Sequence, residues 1–153
     1  MKKQTIELLA PAGSWEALEA AVNAGADAVY MGGKAFGARQ YASNFDREEM
    51  QKAVYFAHMH RVRLYITVNT LVDDSELGEL VDYLLFLSNV GIDGIIVQDL
   101  GVIRLARQIV PDLPLHASTQ MTVTNSEGVK LAAEAGMERV VLARELSLEE
   151  INT

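Results

Sequence analysis

A regular alternation of short β-branched runs and longer amphipathic stretches restricts the fold of this chain more than any other feature. The runs predict strands at residues 6–10, 28–31, 64–69, 94–98, 115–118 and 139–143. The stretches predict helices at residues 15–24, 47–58, 75–89, 101–109 and 126–135, with another starting at residue 148. Strands that alternate with helices pair in parallel, because each crossover helix returns the chain to the same end of the sheet.

The same turn leads into three of the predicted strands. Gly25-Ala26-Asp27, Gly91-Ile92-Asp93 and Gly136-Met137-Glu138 each place a glycine, an apolar residue and an acid after a helix. Glycine supplies the left-handed residue that ends a helix, and the apolar residue packs back against that helix. Capping-box spacing marks four helix starts, at Asp46 with Glu49, Asp73 with Glu76, Thr124 with Glu127 and Ser147 with Glu150. One βα unit is therefore repeated along the chain.

The number and order of these units predict an α/β fold, an incomplete TIM-type (βα)8 barrel made of its first six βα units with parallel strands. A doubly wound sheet is the alternative, but residues 10–14, after the first strand, lack the GxGxxG spacing of that fold. A whole barrel takes about 250 residues, whereas the chain has 153. We expect residues 1–153 to be the N-terminal part of a single barrel domain, with open sheet edges through which chains associate.

Composition excludes several kinds of chemistry. The chain has no cysteine, so no disulfide, thiol nucleophile or cysteine-held metal lies within it, and we predict no metal ligands. The formal net charge of −8 argues against a nucleic-acid footprint over the whole surface, but not against a local basic groove. No apolar run approaches the roughly 20 residues that cross a bilayer, and Glu7 and Pro11 interrupt the first one. We therefore expect no membrane partner and a cytoplasmic location.

Polar residues follow every predicted strand from the third onward, and barrel enzymes place their sites at those carboxyl ends. The residues are Asn69, Gln98, Asp99, His116, Ser118, Gln120, Arg144 and Glu145. We expect His116 to be catalytic by transferring a proton, and the others to bind substrate. Among these, Asn69, Gln98 and Gln120 would contact polar edges of the substrate, and Arg144 would bind an anion.

Structural interpretations of the same residues remain as alternatives. His116 could satisfy a buried backbone group, Asp99 could cap the next helix, and Ser118 could satisfy loop amides. Arg144 and Glu145 could form a surface ion pair worth under about 1 kcal/mol.

The long loop after the second predicted strand combines cations, aromatic rings and glycine. Within it, Lys34 and Arg39 suit a phosphate or carboxylate, and Tyr41 suits a stacked base. A cover packed over the mouth of the barrel is the alternative.

Short motifs that follow one another along nearly the whole chain carry a family resemblance. They are Glu7-Leu8-Leu9-Ala10-Pro11-Ala12-Gly13, Ala24-Gly25-Ala26-Asp27-Ala28-Val29-Tyr30-Met31-Gly32, Asn44-Phe45, Val68-Asn69, Val97-Gln98-Asp99, His116-Ala117-Ser118-Thr119-Gln120 and Ala143-Arg144-Glu145-Leu146. Together they resemble the U-32 peptidase family, the collagenase-like proteins. The resemblance implies a TIM-type barrel, as the periodicity does independently.

The resemblance also implies a function for the full-length protein. Relatives hydroxylate RNA, either a wobble uridine of tRNA in a prephenate-dependent reaction or a cytidine of ribosomal RNA. RNA and prephenate are therefore the expected partners. The resemblance further implies an iron–sulfur cluster, held by cysteines downstream of residues 143–146, so that residues 1–153 alone would hold no cofactor and be inactive. A peptidase of collagen-like or denatured protein is one alternative, and a non-catalytic scaffold subunit is another.

Overall fold

The computed structural model describes residues 6–37 and 44–152 of the chain. Strands and helices alternate throughout this part. In chain order they are β1 (Leu9–Pro11), α1 (Trp15–Asn23), β2 (Ala28–Gly32), α2 (Arg47–Met59), β3 (Arg63–Val68), α3 (Leu77–Val90), β4 (Gly94–Val97), α4 (Leu100–Ile109), β5 (Leu115–Ala117), α5 (Ser126–Glu134), β6 (Arg139–Val140) and α6 (Leu148–Ile151). Short 3₁₀ turns at Asp74–Glu76 and Thr119–Met121 follow β3 and β5. Within the described ranges, no helix is long and apolar enough to cross a bilayer.

The six strands form one sheet in chain order, and every neighbouring pair is parallel. The sheet curls into a half-barrel, so that Glu7, just before the edge strand β1, forms an ion pair across the inside with Arg139 of the other edge strand, β6. The predicted α/β class and strand order are confirmed. Closure into a complete TIM-type barrel and association through the edges of β1 and β6 stay predictions.

Side chains alternate between the two faces of the sheet, as the pleat of a strand requires. On the outer face, Val29, Leu64 and Ile95 are fully buried in one core with residues of the helices. On the inner face, Ala28 and Tyr65 belong to a separate, smaller cluster. Burial on both faces explains why the strands are nearly continuous apolar runs in the sequence.

The glycine-containing turns fix the strands relative to one another. Gly25 and Gly91 have φ values of 87° and 83°, the left-handed conformation that ends a helix. The acid two residues after each glycine binds the backbone of the preceding unit. The Asp27 carboxylate accepts the N–H of Leu8, the residue before β1, at 2.7 Å, and the Asp93 carboxylate accepts the N–H of Leu64, in β3, at 2.8 Å. Each acid therefore holds the register of two neighbouring strands.

The observed strands and caps differ from the predicted ones in detail. The last strand covers Arg139–Val140, not residues 139–143, because its pairing with β5 stops where Ala117 accepts the Val141 N–H. The predicted capping boxes at Asp46, Asp73 and Ser147 are confirmed. The prediction at Thr124 was wrong, because the neighbouring Asn125 caps α5 by accepting the Gly128 N–H at 2.9 Å.

Candidate functional site

The inner face of the half-barrel forms a concavity of about 560 Å³ at the carboxyl ends of the strands. This is the edge at which parallel α/β folds place their sites. Five predicted site residues line the concavity, namely Asn69, Ser118, Gln120, Arg144 and Glu145. Tyr30 and Thr67 also line it, and the sequence analysis missed them. Their places on alternate residues of β2 and β3, facing the same side as Tyr65, are the sequence signal that could have identified them.

Asn69 reaches the concavity from the end of β3, and hydrogen bonds hold its backbone on both sides. Its N–H donates to the Phe36 carbonyl at 3.0 Å, and its carbonyl accepts a hydrogen bond from Gln98 Nε2 at 2.7 Å. The amide nitrogen of Gln98 is therefore engaged by the main chain. Gln98 is also not among the residues that line the concavity.

The 3₁₀ turn after β5 presents hydroxyl and amide groups to the same concavity. Ser118 is the N-cap of the turn, and its Oγ accepts the Gln120 N–H at 3.3 Å. The Ser118 hydroxyl lies 3.4 Å from Gln120 Oε1, to which it donates. Thr119 and Thr122 line the concavity beside them. This turn therefore offers neutral hydrogen-bonding groups on one wall.

Arg144 and Glu145 lie exposed at the rim, after β6. They form no ion pair with each other, and within residues 6–37 and 44–152 the Arg144 guanidinium has no carboxylate partner. The surface ion pair considered from the sequence is therefore not formed. The Arg144 guanidinium is positively charged and exposed, so it is suited to bind an anionic ligand.

His116 lies deeper than the concavity, on the inner face of β5. It is 5% exposed, and its ring meets the Tyr65 ring edge-on with 4.6 Å between centroids. Burial, together with the positive charges of Arg139 and Arg63, lowers the pKa of His116 to about 4. The imidazole is therefore uncharged at neutral pH and, with its pKa lowered, is a weaker base than an exposed histidine. A catalytic role for His116 stays a prediction.

A charged network that sequence reasoning missed lies at the amino end of the same inner face. Glu7 forms ion pairs with Arg63 and Arg139, and the Tyr65 hydroxyl donates to Glu7 at 3.2 Å. Burial opposes ionisation of Glu7, but the hydrogen bond and charge of Arg139, with Arg63 and Tyr65, outweigh it and lower its pKa. The network joins the segment before β1 to β3 and β6.

Two further predicted residues, Lys34 and Asp99, lie apart from the concavity. Lys34 Nζ is 3.3 Å from Asp46 Oδ2, and Lys34 borders a second cavity of about 850 Å³ between the loops that follow β2 and β3. The Asp99 carboxylate accepts the Val102 N–H at 2.9 Å, so the structural interpretation of Asp99 as the cap of α4 is confirmed. Arg39 and Tyr41 lie outside the described residues.

The residues present do not fit the iron–sulfur cluster that the family resemblance implies. The sequence has no cysteine. Among the residues that the structure describes, no group of three or more His, Asp or Glu side chains could hold a metal ion. The cluster therefore stays a prediction for which this chain supplies no ligand set.

Six parallel strands in a half-barrel, with a concavity at their carboxyl ends, define an α/β protein of the class that places its sites at that edge. The chain belongs to peptidase family U32, whose family model matches residues 13–153. This confirms the family that the sequence motifs indicated.

Three curated relatives extend this result. A tRNA hydroxylation protein of Bacillus subtilis is 43% identical over 95% of this chain and 34% of the relative. A 23S rRNA 5-hydroxycytidine synthase of Escherichia coli is 40% identical over 95% of this chain and 22% of its own length. A collagenase of Porphyromonas gingivalis is 32% identical over 100% of this chain and 36% of its own length. The chain therefore spans about a third or less of these relatives.

A solved structure of a U32 peptidase has the same fold. It superposes with a TM-score of 0.73 over 93% of this chain and 61% of the solved chain, at 14% sequence identity. At that identity, the likeness concerns the fold alone.

Proposed function

We propose that this protein takes part in the hydroxylation of a pyrimidine base in RNA, with tRNA as the first candidate substrate. The observation that carries the proposal is the concavity at the strand ends, which combines an aromatic ring, amide and hydroxyl groups, and one exposed guanidinium. An unpaired base offers a flat face and a polar edge, and its phosphate offers an anion. The names of relatives in tRNA and rRNA hydroxylation support this proposal.

Each group has a proposed role. Tyr30 stacks on the face of the base, and Asn69 and Gln120 form hydrogen bonds with its polar edge. Arg144 pairs with a phosphate at the rim, where an exposed guanidinium meets the RNA backbone. For His116, beneath the concavity, the proposed role is proton transfer, as donor or acceptor. Prephenate and an iron–sulfur cluster belong to the proposal as requirements of the whole reaction.

A genetic experiment tests the proposal. The gene is deleted from its host, and hydroxylated nucleosides in tRNA and rRNA are quantified by mass spectrometry. We expect deletion to remove one 5-hydroxypyrimidine nucleoside and the wild-type gene to restore it. Arg144→Ala should fail to restore it, whereas Arg104→Ala, which changes an exposed arginine on α4, should succeed. An unchanged set of hydroxylated nucleosides in the deletion strain would overturn the proposal.

Peptidase activity is the second candidate, favoured by the similarity to a collagenase. Serine peptidases need a hydroxyl activated by a neighbouring base. Here the Ser118 hydroxyl donates to Gln120 and not to His116, which argues against a Ser–His pair. Cleavage of denatured collagen by the purified protein, abolished by His116→Ala, would support the peptidase and contradict the RNA proposal.

A further inference from the structure

A line of hydrogen bonds connects three neighbouring strand ends beside the concavity. Asn69 and Gln98 are the first residues after β3 and β4. Gln98 Nε2 donates to the Asn69 carbonyl at 2.7 Å. On its other side, the Asn69 N–H donates to the carbonyl of Phe36, in the loop after β2, at 3.0 Å.

The Phe36 end of this line is held by side-chain packing. Phe36 has φ = 56°, a left-handed conformation that a non-glycine residue adopts only when its surroundings compensate. Its ring lies 5.7 Å, between centroids, from the ring of Tyr83, which is 3% exposed. The Phe36 carbonyl is therefore a fixed acceptor, whereas the Gln98 end depends on one side-chain amide.

Gln98 therefore forms its hydrogen bond beside the concavity, whereas Asn69 lines the concavity itself. We propose that Gln98 is a positioning residue, whose amide fixes the Asn69 backbone and so aims the Asn69 side chain at a base in the concavity. This inference rests on the proposed RNA function and gives Gln98 a different role from direct contact with substrate. Without the Gln98 donor, the partly buried Asn69 carbonyl loses its partner, and the peptide is released to rotate.

Glutamate at position 98 removes the donor, because it keeps the size of glutamine but replaces the amide N–H groups with a carboxylate, whose oxygens repel the Asn69 carbonyl. Gln108→Glu, at an exposed position of α4, is the matched control for the added charge. Each whole gene is induced in the deletion strain, and the initial rate of nucleoside hydroxylation is measured at equal protein level. We expect Gln98→Glu to lower the rate about three- to tenfold, in line with the loss of one hydrogen bond. Gln108→Glu should leave it unchanged.

A double-mutant cycle separates positioning from independent action. If Gln98 acts through Asn69, Gln98→Glu has no further effect on hydroxylation in an Asn69→Ala background. If the two rate losses multiply, the inference is overturned.

Amide hydrogen exchange distinguishes failure of this inference from failure of the RNA proposal. In the purified whole protein, release of the Asn69 carbonyl should loosen the neighbouring hydrogen bond from the Asn69 N–H to the Phe36 carbonyl. Gln98→Glu should therefore speed exchange of the Asn69 amide about tenfold, as expected for an opening made easier by one hydrogen bond. Gln108→Glu should leave it unchanged. Wild-type exchange at Asn69 in the Gln98→Glu protein would overturn the positioning role, whatever the RNA assay gives. The two assays can also disagree. If Gln98→Glu speeds exchange at Asn69, but deletion of the gene leaves RNA hydroxylation unchanged, the positioning role is supported and the RNA proposal alone is overturned.

Discussion

Replacing His116 by glutamine should make the protein less sensitive to mild acid. His116 is 5% exposed, and its pKa in the folded protein is about 4, compared with 6.5 for an exposed imidazole. Between these values the unfolded chain binds a proton that the folded protein rejects, so protons favour unfolding. From pH 8 to pH 5, this difference lowers the free energy of unfolding by about 2 kcal/mol. Glutamine cannot titrate, so that loss should disappear.

Urea denaturation at pH 8 and at pH 5 measures the effect. The quantity to compare is the fall in unfolding free energy between the two pH values, which is independent of any constant cost of the substitution. His60→Gln is the matched control, because His60 is exposed at the end of α2. It controls for the replacement of an imidazole by an amide outside the core.

One outcome would refute the reasoning. If His116→Gln loses as much stability as the wild type between pH 8 and pH 5, within about 0.5 kcal/mol, burial does not keep the His116 imidazole uncharged. The conclusion that burial lowers the pKa of His116 would then be withdrawn.

Three further substitutions test packing and pairing through urea unfolding. Glu7→Gln should lower the free energy of unfolding by about 1–2 kcal/mol, because it leaves Arg63 and Arg139 unpaired. This difference should vanish as the pH falls through the lowered pKa of Glu7. The control Glu48→Gln, in an exposed pair, should lower it by under about 0.5 kcal/mol. Gly33→Ala should lower the free energy of unfolding by about 1–3 kcal/mol, because the added Cβ would lie 2.8 Å from Met50 Cε and against the Tyr83 hydroxyl. The control Gly78→Ala, in α3 with open space around it, should raise the free energy of unfolding by about 0.5–1 kcal/mol. Asp99→Ala should lower the free energy of unfolding by about 1 kcal/mol, because it removes the cap of α4. Asp99→Asn should keep most of the wild-type stability, because asparagine also caps helices.

Features governed by neighbouring residues in the chain were predictable from the sequence. The left-handed glycines at Gly25 and Gly91 follow from the chemistry of helix ends, and they appear where the pattern placed them. Parallel order follows in turn, because a helix between two strands leaves few other connections. The general position of the site also follows, since polar residues after apolar strands meet at one edge of the sheet.

Contacts between distant strands could not be derived in the same way. Whether Gln98 faces the concavity or the Asn69 backbone depends on how two loops settle, and no local pattern determines that. The depth of His116 depends on the curl of the sheet, which also brings Glu7 to Arg139 across 132 positions of sequence. Asp99 was compatible with two interpretations, because an N-cap and a ligand-binding acid use the same side chain at the same place.

The acids that lead into β2 and β4 have a consequence for how such a sheet can be lengthened. The carboxylates of Asp27 and Asp93 each belong to one βα unit and accept a backbone N–H from the unit before it. A duplicated unit therefore includes the carboxylate that binds it to the preceding unit, which contributes only a backbone N–H. A chain assembled from such parts can grow by duplication, one unit at a time, with its earlier units unchanged.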